Sequence, residues 1–249
     1  MENKSVLITG GSSGIGTAIA KRLSEQGAKV AILARRPEAV DEVAGRLGVL
    51  GIHGDVTKPD DCVRAVSRVV TAFGGLTTVV NSAGVIGTGG TADTKRDEWE
   101  RIMSINLDGT VNMCRASLGP LKKSAGGSIV NLSSVTGTRP IAQVTAYCVS
   151  KAAVDMMTKC AALELGPHGI RVAAVAPGRV DTPLLRQYQD LGLWDHIRRE
   201  QMRSEFTQPV EIANVFAFLA SDEANCINGS TICADDGFIN FKYPLLPEG

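Results

Sequence analysis

The stretch Ser5-Val6-Leu7-Ile8-Thr9-Gly10-Gly11-Ser12-Ser13-Gly14-Ile15-Gly16 decides how this chain folds. Its first five residues are β-prone and apolar at successive central positions, as in a strand covered on both faces. The glycines then make a tight turn, and a helical pattern begins at Gly14. Strand, glycine turn and helix start together form a receptor for a pyrophosphate. Backbone N–H groups converge on the anion, and the missing side chains let it approach. Gly10, Gly14 and Gly16 are spaced as GxxxGxG rather than G-x-G-x-x-G, with Ser12, Ser13 and Ile15 completing the loop.

Outward from this unit, short apolar runs alternate with longer helical patterns, the mark of a parallel sheet with crossover helices. The runs predict strands at 5–9, 29–34, 49–53, 78–81, 128–132, 171–176 and 230–234. Helices are predicted at 14–26, 38–47, 59–73, 97–123, 145–165 and 209–219. The Gly- and Thr-rich segment 85–95 reads as a loop, and 183–206 is less regular. No linker, repeat or low-complexity stretch interrupts the chain. The expectation is one α/β domain over residues 1–249, a Rossmann-like doubly wound parallel sheet with helices on both faces and right-handed crossovers.

Composition narrows the partners. Lys and Arg total 26 and Asp and Glu total 26, so no charge excess points to nucleic acid or to a membrane surface. Met1-Glu2-Asn3-Lys4 leads straight into the first strand, without the apolar core of a signal peptide. No apolar run approaches a membrane span. The six cysteines include no CxxC pair, and the three histidines (His53, His168, His196) are far apart in sequence. Free, buried thiols in a reducing compartment, no metal site and a cytoplasmic location are expected.

The second strand ends Leu33-Ala34-Arg35-Arg36, where NAD-binding folds commonly place an acid against the ribose 2′-hydroxyl. Two guanidiniums suit a 2′-phosphate instead, and the nearest acid, Glu38, lies beyond Pro37. NADP(H) is the expected cofactor, with NAD(H) as the alternative.

Tyr147 and Lys151 stand four apart in a predicted helix and so share a face. A phenol with its usual pKa of about 10 is protonated near neutrality. A neighbouring cation favours the phenolate and brings the group towards proton exchange with a substrate. Ser134 follows the strand 128–132 and so sits at the carboxyl edge of the sheet, where its hydroxyl can bond a carbonyl oxygen.

Thr9 to Gly16, Asn81-Ser82-Ala83-Gly84, Asn106, Ser134, Tyr147-xxx-Lys151 and Pro177-Gly178 occur in that order. This constellation resembles the short-chain dehydrogenase/reductase family in its compact single-domain branch, from Val6 to about Gly237. The resemblance implies a strand order of 3-2-1-4-5-6-7. It also implies conversion between an alcohol and a ketone or aldehyde by direct hydride transfer. Tyr147 would be general acid and base. Lys151 would lower the Tyr147 pKa and hold the nicotinamide ribose. Ser134 would polarise the substrate oxygen, and Asn106 would hold a water in a proton relay towards Lys151. Asp55 and Val56 would meet the adenine, and Asn81, Ala83 and Gly84 would lie near its ribose. Pro177, Gly178, Val180 and Thr182 would border the nicotinamide. A homo-oligomer, tetramer or dimer, built through helices 97–123 and 145–165 is likewise implied. The change to Ala234-Asp235-Asp236-Gly237 near the C-terminus carries no functional reading.

Substrate walls are expected from Ser134, Thr136, Ile141, Gln143, Val144, Tyr147, Arg179, Leu184, Leu185, Tyr188 and Trp194. Residues 183–208 resemble a mobile loop that closes over substrate. Its apolar side chains favour an apolar alcohol or ketone. Arg179 is available to an anionic substrate or a cofactor phosphate. A non-catalytic dinucleotide sensor is the rival from another class.

Overall fold

The computed structural model describes residues 1–124, 126–186, 189, 192 and 194–240. β1 (Ser5–Thr9), α1 (Gly14–Glu25), β2 (Lys29–Ala34), α2 (Pro37–Leu47), β3 (Leu50–His53), α3 (Pro59–Phe73) and β4 (Thr78–Asn81) come first. They are followed by α4 (Arg96–Met103), a π-helical turn (Ser104–Asp108), α5 (Gly109–Lys123), β5 (Gly127–Leu132) and a 3-10 turn (Val135–Gly137). The chain continues through α6 (Thr145–Leu165), β6 (Ile170–Pro177), α7 (Pro183–Arg186), α8 (Trp194–Arg198), α9 (Pro209–Ala220) and β7 (Thr231–Ala234). Element ends fall within about one residue of the sequence expectation, apart from the helix predicted at 97–123.

The seven strands form one sheet in the order β3-β2-β1-β4-β5-β6-β7, and every pairing is parallel. Successive strand residues alternate between two apolar layers. Val6, Ile8, Val30 and Ile32 pack with Ile19 and Leu23 of α1 and with Ile212 and Phe216 of α9. Leu7, Ala31, Leu33 and Val79 pack on the other face with Val66 and Val69 of α3 and with Met113 and Leu121 of α5. Both faces are covered, so the strands carry almost no polar alternation. That is why they read as continuous apolar runs.

The strand order reverses between β1 and β4. A crevice opens there at the carboxyl edge of such a sheet, and ligands bind in it. Thr9 Oγ1 accepts hydrogen bonds from the Ser82 and Ala83 N–H groups, each at 3.1 Å, fastening the end of β1 to the loop after β4.

The helix expected over 97–123 is not continuous. A π-helical turn centred on Asn106 divides it. The Asn106 side chain accepts from Val85 N–H at 2.8 Å and donates from Nδ2 to the Val85 carbonyl and to Ser150 Oγ, both at 2.9 Å. One wider turn lets this buried amide meet three partners outside its own helix, and such π-bulges are frequent at functional sites.

Candidate active site

The glycine loop after β1 is tightly packed against the start of α1. A Cβ on Gly16 would overlap the Gly10 carbonyl oxygen and lie 2.8 Å from its carbon, so α1 meets the glycine loop only through a residue without a side chain. Ser13, the N-cap of α1, is extended, with φ −159° and ψ 160°, and its side chain makes no capping bond. The first turn contains no acid. Its orphan N–H groups and the positive end of the helix dipole are thus presented to an anion. Ser12, Ser13, Gly14, Lys21, Arg36 and Arg46 border a groove beside this turn. Arg35 and Arg36 are exposed, and neither forms an ion pair among the described residues.

Asp55 and Val56 stand just beyond β3. Asp55 Oδ1 accepts from Thr57 N–H and Oγ1, each at 2.9 Å, and Asn112 Nδ2 donates to the Val56 carbonyl at 3.0 Å. Asn81 is buried, with Nδ2 donating to Asn131 Oδ1 at 2.9 Å, and this bond joins β4 to β5. Ala83 lies over Gly10. Gly84 borders the space between Asn106 and Lys151: a Cβ on it would be 3.4 Å from Asn106 Oδ1 and 3.6 Å from Lys151 Nζ.

Ser134, Tyr147 and Lys151 are brought together by the packing of the turn after β5 against α6. Gly137 makes this possible, since a Cβ there would lie 3.0 Å from the Ala152 nitrogen and the Lys151 carbonyl carbon. Lys151 is 3% exposed, and Nζ donates to the Leu132 carbonyl at 2.7 Å and lies 5.6 Å from the Tyr147 ring centre. Burial pushes the Lys151 ammonium down from 10.5 to about 8, with Asp155 one turn on opposing the shift. Ser134 Oγ accepts from Thr136 N–H at 3.2 Å and Thr136 Oγ1–H at 3.0 Å, which leaves its own proton to donate. Asn106 reaches the same cluster indirectly: Ser150 Oγ, which accepts from it, donates to the Tyr147 carbonyl at 2.7 Å. Both Asn106 Nδ2 hydrogens are therefore used inside the protein.

Ser134, Tyr147 and Thr182 open on a cavity of about 560 Å³, together with Gln143, Val144 and Leu184. Ile15, Pro177, Gly178 and Val180 also line it, so the glycine loop and the segment after β6 share this space with Tyr147. Gln143 has φ 63°, a left-handed conformation for a residue with a Cβ, and its carbonyl accepts from Gly89 N–H at 2.8 Å. That contact ties the loop 85–95 to the start of α6.

A family model described as enoyl-(acyl carrier protein) reductase matches residues 10–239. The chain is 38% identical over 243 residues to 2,5-dichloro-2,5-cyclohexadiene-1,4-diol dehydrogenase LinX of Sphingobium indicum, covering 96% of this chain and 97% of that one. It is 37% identical over 238 residues to 3-alpha-(or 20-beta)-hydroxysteroid dehydrogenase of Mycobacterium tuberculosis, covering 95% and 89%. A crystal structure of a short-chain type dehydrogenase/reductase from Mycobacterium marinum superposes with a TM-score of 0.90 at 33% identity, covering 96% of each chain. This chain belongs to the short-chain dehydrogenase/reductase family. As a member of that family it is an oxidoreductase acting between alcohol and carbonyl, and membership implies a nicotinamide dinucleotide cofactor. The cradle fits one: a helix start without a capping side chain, and a loop approached only through glycine.

Within the short-chain dehydrogenase/reductase fold, three sequence expectations are corrected. Arg179 is not available to an anionic substrate or a cofactor phosphate as a lone cation. Its Nε and Nη2 both donate to Glu200 Oε2, at 2.9 and 2.6 Å. Trp194 does not line the cavity but turns to Phe206, with ring centres 4.3 Å apart. The cysteines are not all buried: Cys62, Cys114 and Cys148 are, whereas Cys160, Cys226 and Cys233 are exposed. Apart from these corrections, the Asp236 carboxylate accepts from the Arg203 N–H at 2.8 Å and from Arg203 Nε at 3.1 Å. Tyr188 lies outside the described residues.

Sequence reading missed the supporting residues. Ser150 links Asn106 to Tyr147, and Gln201, 2% exposed, accepts from the Arg179 N–H at 2.6 Å. Both are uncharged residues of common type, and nothing local in the sequence sets them apart. Among the described residues no helix is long and apolar enough to cross a membrane, and no three His, Cys, Asp or Glu side chains gather as metal ligands.

Proposed function

We propose that this chain is an NADP(H)-dependent oxidoreductase that interconverts an uncharged, largely apolar alcohol and its ketone or aldehyde, with Tyr147 as general acid and base. The observation that carries this reading is the convergence of Ser134 and Tyr147 on one cavity, with the buried Lys151 ammonium 5.6 Å from the tyrosine ring. A nicotinamide dinucleotide, held by the glycine loop and by Pro177, Gly178, Val180 and Thr182, would supply the hydride chemistry.

In alcohol oxidation Ser134 donates its free proton to the substrate oxygen and orients it, while Tyr147 accepts the hydroxyl proton. Lys151, beside the ring, favours the phenolate over the phenol. In reduction Tyr147 returns the proton to the carbonyl oxygen. A water in the space beside Gly84, flanked by Asn106 Oδ1 and Lys151 Nζ, would carry protons onward. The wall residues Ile86, Ile141, Val144, Leu184 and Leu185 favour an apolar substrate body. The relatives named for a ring diol and for a hydroxysteroid agree with that.

Arg35 and Arg36 support NADP(H), because two exposed guanidiniums occupy the place where a carboxylate would select NAD(H). The exposed apolar residues Val149, Met156 and Leu163 recur every seventh position along α6, which supports a homo-oligomer formed through this helix.

The test is Tyr147→Phe. It should lower kcat by about 10²–10⁴-fold while the affinity for NADPH persists. Wild-type turnover by that variant would refute the mechanism.

A further inference from the structure

The same cavity contains a second polar station. Arg179 and Glu200 line it, with side chains 18% and 19% exposed, between apolar residues such as Ile197 and Leu184. Arg179 Nε and Nη2 both bond one oxygen of Glu200, Oε2. The second oxygen, Oε1, accepts no hydrogen bond among the described residues, and Arg179 Nη1 donates none. The pair is held firmly from behind. Gln201 Oε1 accepts from the Arg179 N–H at 2.6 Å, Gln201 Nε2 donates to the Glu205 carbonyl at 2.6 Å, and the Arg179 guanidinium lies 5.4 Å from the Phe238 ring centre.

This arrangement selects by charge. A carboxylate or phosphate that approaches Arg179 also meets Glu200, and an ammonium that approaches Glu200 meets Arg179. A hydroxyl suits both, because it can donate to Glu200 Oε1 or accept from an Arg179 N–H that Glu200 leaves unused. We propose that the Arg179–Glu200 pair recognises a second, uncharged hydroxyl of the substrate. The substrate class is then a diol with an apolar body, or the matching hydroxyketone in the reverse direction. One hydroxyl is oxidised, its carbon losing hydride to the nicotinamide and its oxygen losing a proton to Tyr147. The other hydroxyl is bound and unchanged. This inference rests on the oxidoreductase reading above.

The experiment compares kcat/KM, with NADP+ and NAD+, for cyclohexanol, its 1,3- and 1,4-diols, 4-hydroxycyclohexanecarboxylate and 4-aminocyclohexanol. A site built to bond a hydroxyl discriminates strongly against the analogue that lacks it. The better diol should exceed cyclohexanol by about tenfold, with both charged analogues below cyclohexanol. In the double variant Arg179→Met, Glu200→Leu the diol-to-cyclohexanol ratio should fall to about one. The ratio is taken on a single preparation, so losses of folding or cofactor binding common to both substrates cancel. If the double variant does not fold, Glu200→Gln decides: it leaves Arg179 charged without its counter-ion, and the carboxylate should gain on the diol. A wild-type ratio under about fivefold, a charged analogue as best substrate, or a ratio indifferent to the substitutions overturns this inference alone. No cofactor reduction with any alcohol overturns the underlying reading and this inference with it.

Discussion

Lys151 Nζ donates to the carbonyl of Leu132 at 2.7 Å, so the end of β5 holds a buried ammonium two residues before Ser134. One carbonyl is a modest partner for a charge that burial has pushed down from 10.5 to about 8. Between those values the unfolded chain holds a proton that the folded chain has released. Stability attributable to this group therefore rises with pH through the window, and the cost of burying the charge is complete below it. At about 1.4 kcal/mol per unit the cost is on the order of 3 kcal/mol. Lys151→Met removes it, offset by about 1–3 kcal/mol for leaving the Leu132 carbonyl without a donor. In urea unfolding the stability of the variant relative to wild type should be greatest near pH 7 and should decline as the pH passes from about 8 to 10.5. A difference that is flat or grows with pH would contradict the assignment.

Thr136 governs the direction of the Ser134 proton. Both its N–H and its hydroxyl point at Ser134 Oγ, so the serine keeps its own proton to donate. Thr136→Val keeps the shape and the backbone bond but removes the hydroxyl, and the serine proton can then turn away. On the proposed mechanism kcat should fall about tenfold with KM little changed, less than the 10²–10³ of losing an oxyanion donor outright. Thr136→Ser should restore it. An unchanged kcat, or a serine variant as slow as valine, would show that the threonine only packs.

What could be read in advance follows from how local each feature is. The run 5–16 was legible because its strand, turn and helix start are neighbours in sequence, and each residue type has a backbone reason to be there. The proximity of Ser134, Tyr147 and Lys151 was legible because two of them share a helix face and the third follows the end of a strand. The π-helical turn was not, since its pitch is set by bonds from Asn106 to Val85 and Ser150 and not by propensity within 97–123. Arg179 looked like a free cation for a similar reason. Glu200 is distant along the chain, and contacts through Gln201 and Phe238 are needed to bring the pair into register. The same holds for Asp236, whose partner Arg203 lies 33 residues away along the chain.

Gly16 and Gly45 make a matched pair of opposites. A Cβ on Gly16 would overlap backbone of Gly10, which cannot rotate away, whereas a Cβ on Gly45 in α2 meets nothing within 4 Å. Gly16→Ala should lower stability by about 1–3 kcal/mol and displace the glycine loop, the proposed seat of the pyrophosphate. NADPH affinity, followed by fluorescence titration, should drop by about two orders of magnitude or more. Gly45→Ala should leave binding intact and raise stability by about 0.5–1 kcal/mol through helix propensity. Normal NADPH affinity in the Gly16 variant would mean that the loop is not the cradle.

Arg35 and Arg36 follow β2 directly, on the exposed side of the crevice, and Arg36 shares its groove with Ser12 and Ser13 of the glycine loop. A 2′-phosphate placed there gains charge-assisted bonds that a 2′-hydroxyl cannot make. At about 1.5–3 kcal/mol for a bond to a charged group, reduced by exposure, replacing both arginines by alanine should weaken NADPH by about 10–100-fold. NADH lacks the phosphate and should lose at most a few-fold. Because the discrimination is electrostatic at an exposed site, the NADPH preference of the wild type should also shrink as salt is raised. Affinities for both cofactors, measured at low and high ionic strength, decide the matter. Equal losses for NADPH and NADH in the double alanine variant would shift the cofactor assignment to NAD(H), with the arginines reduced to solvated residues at the start of α2.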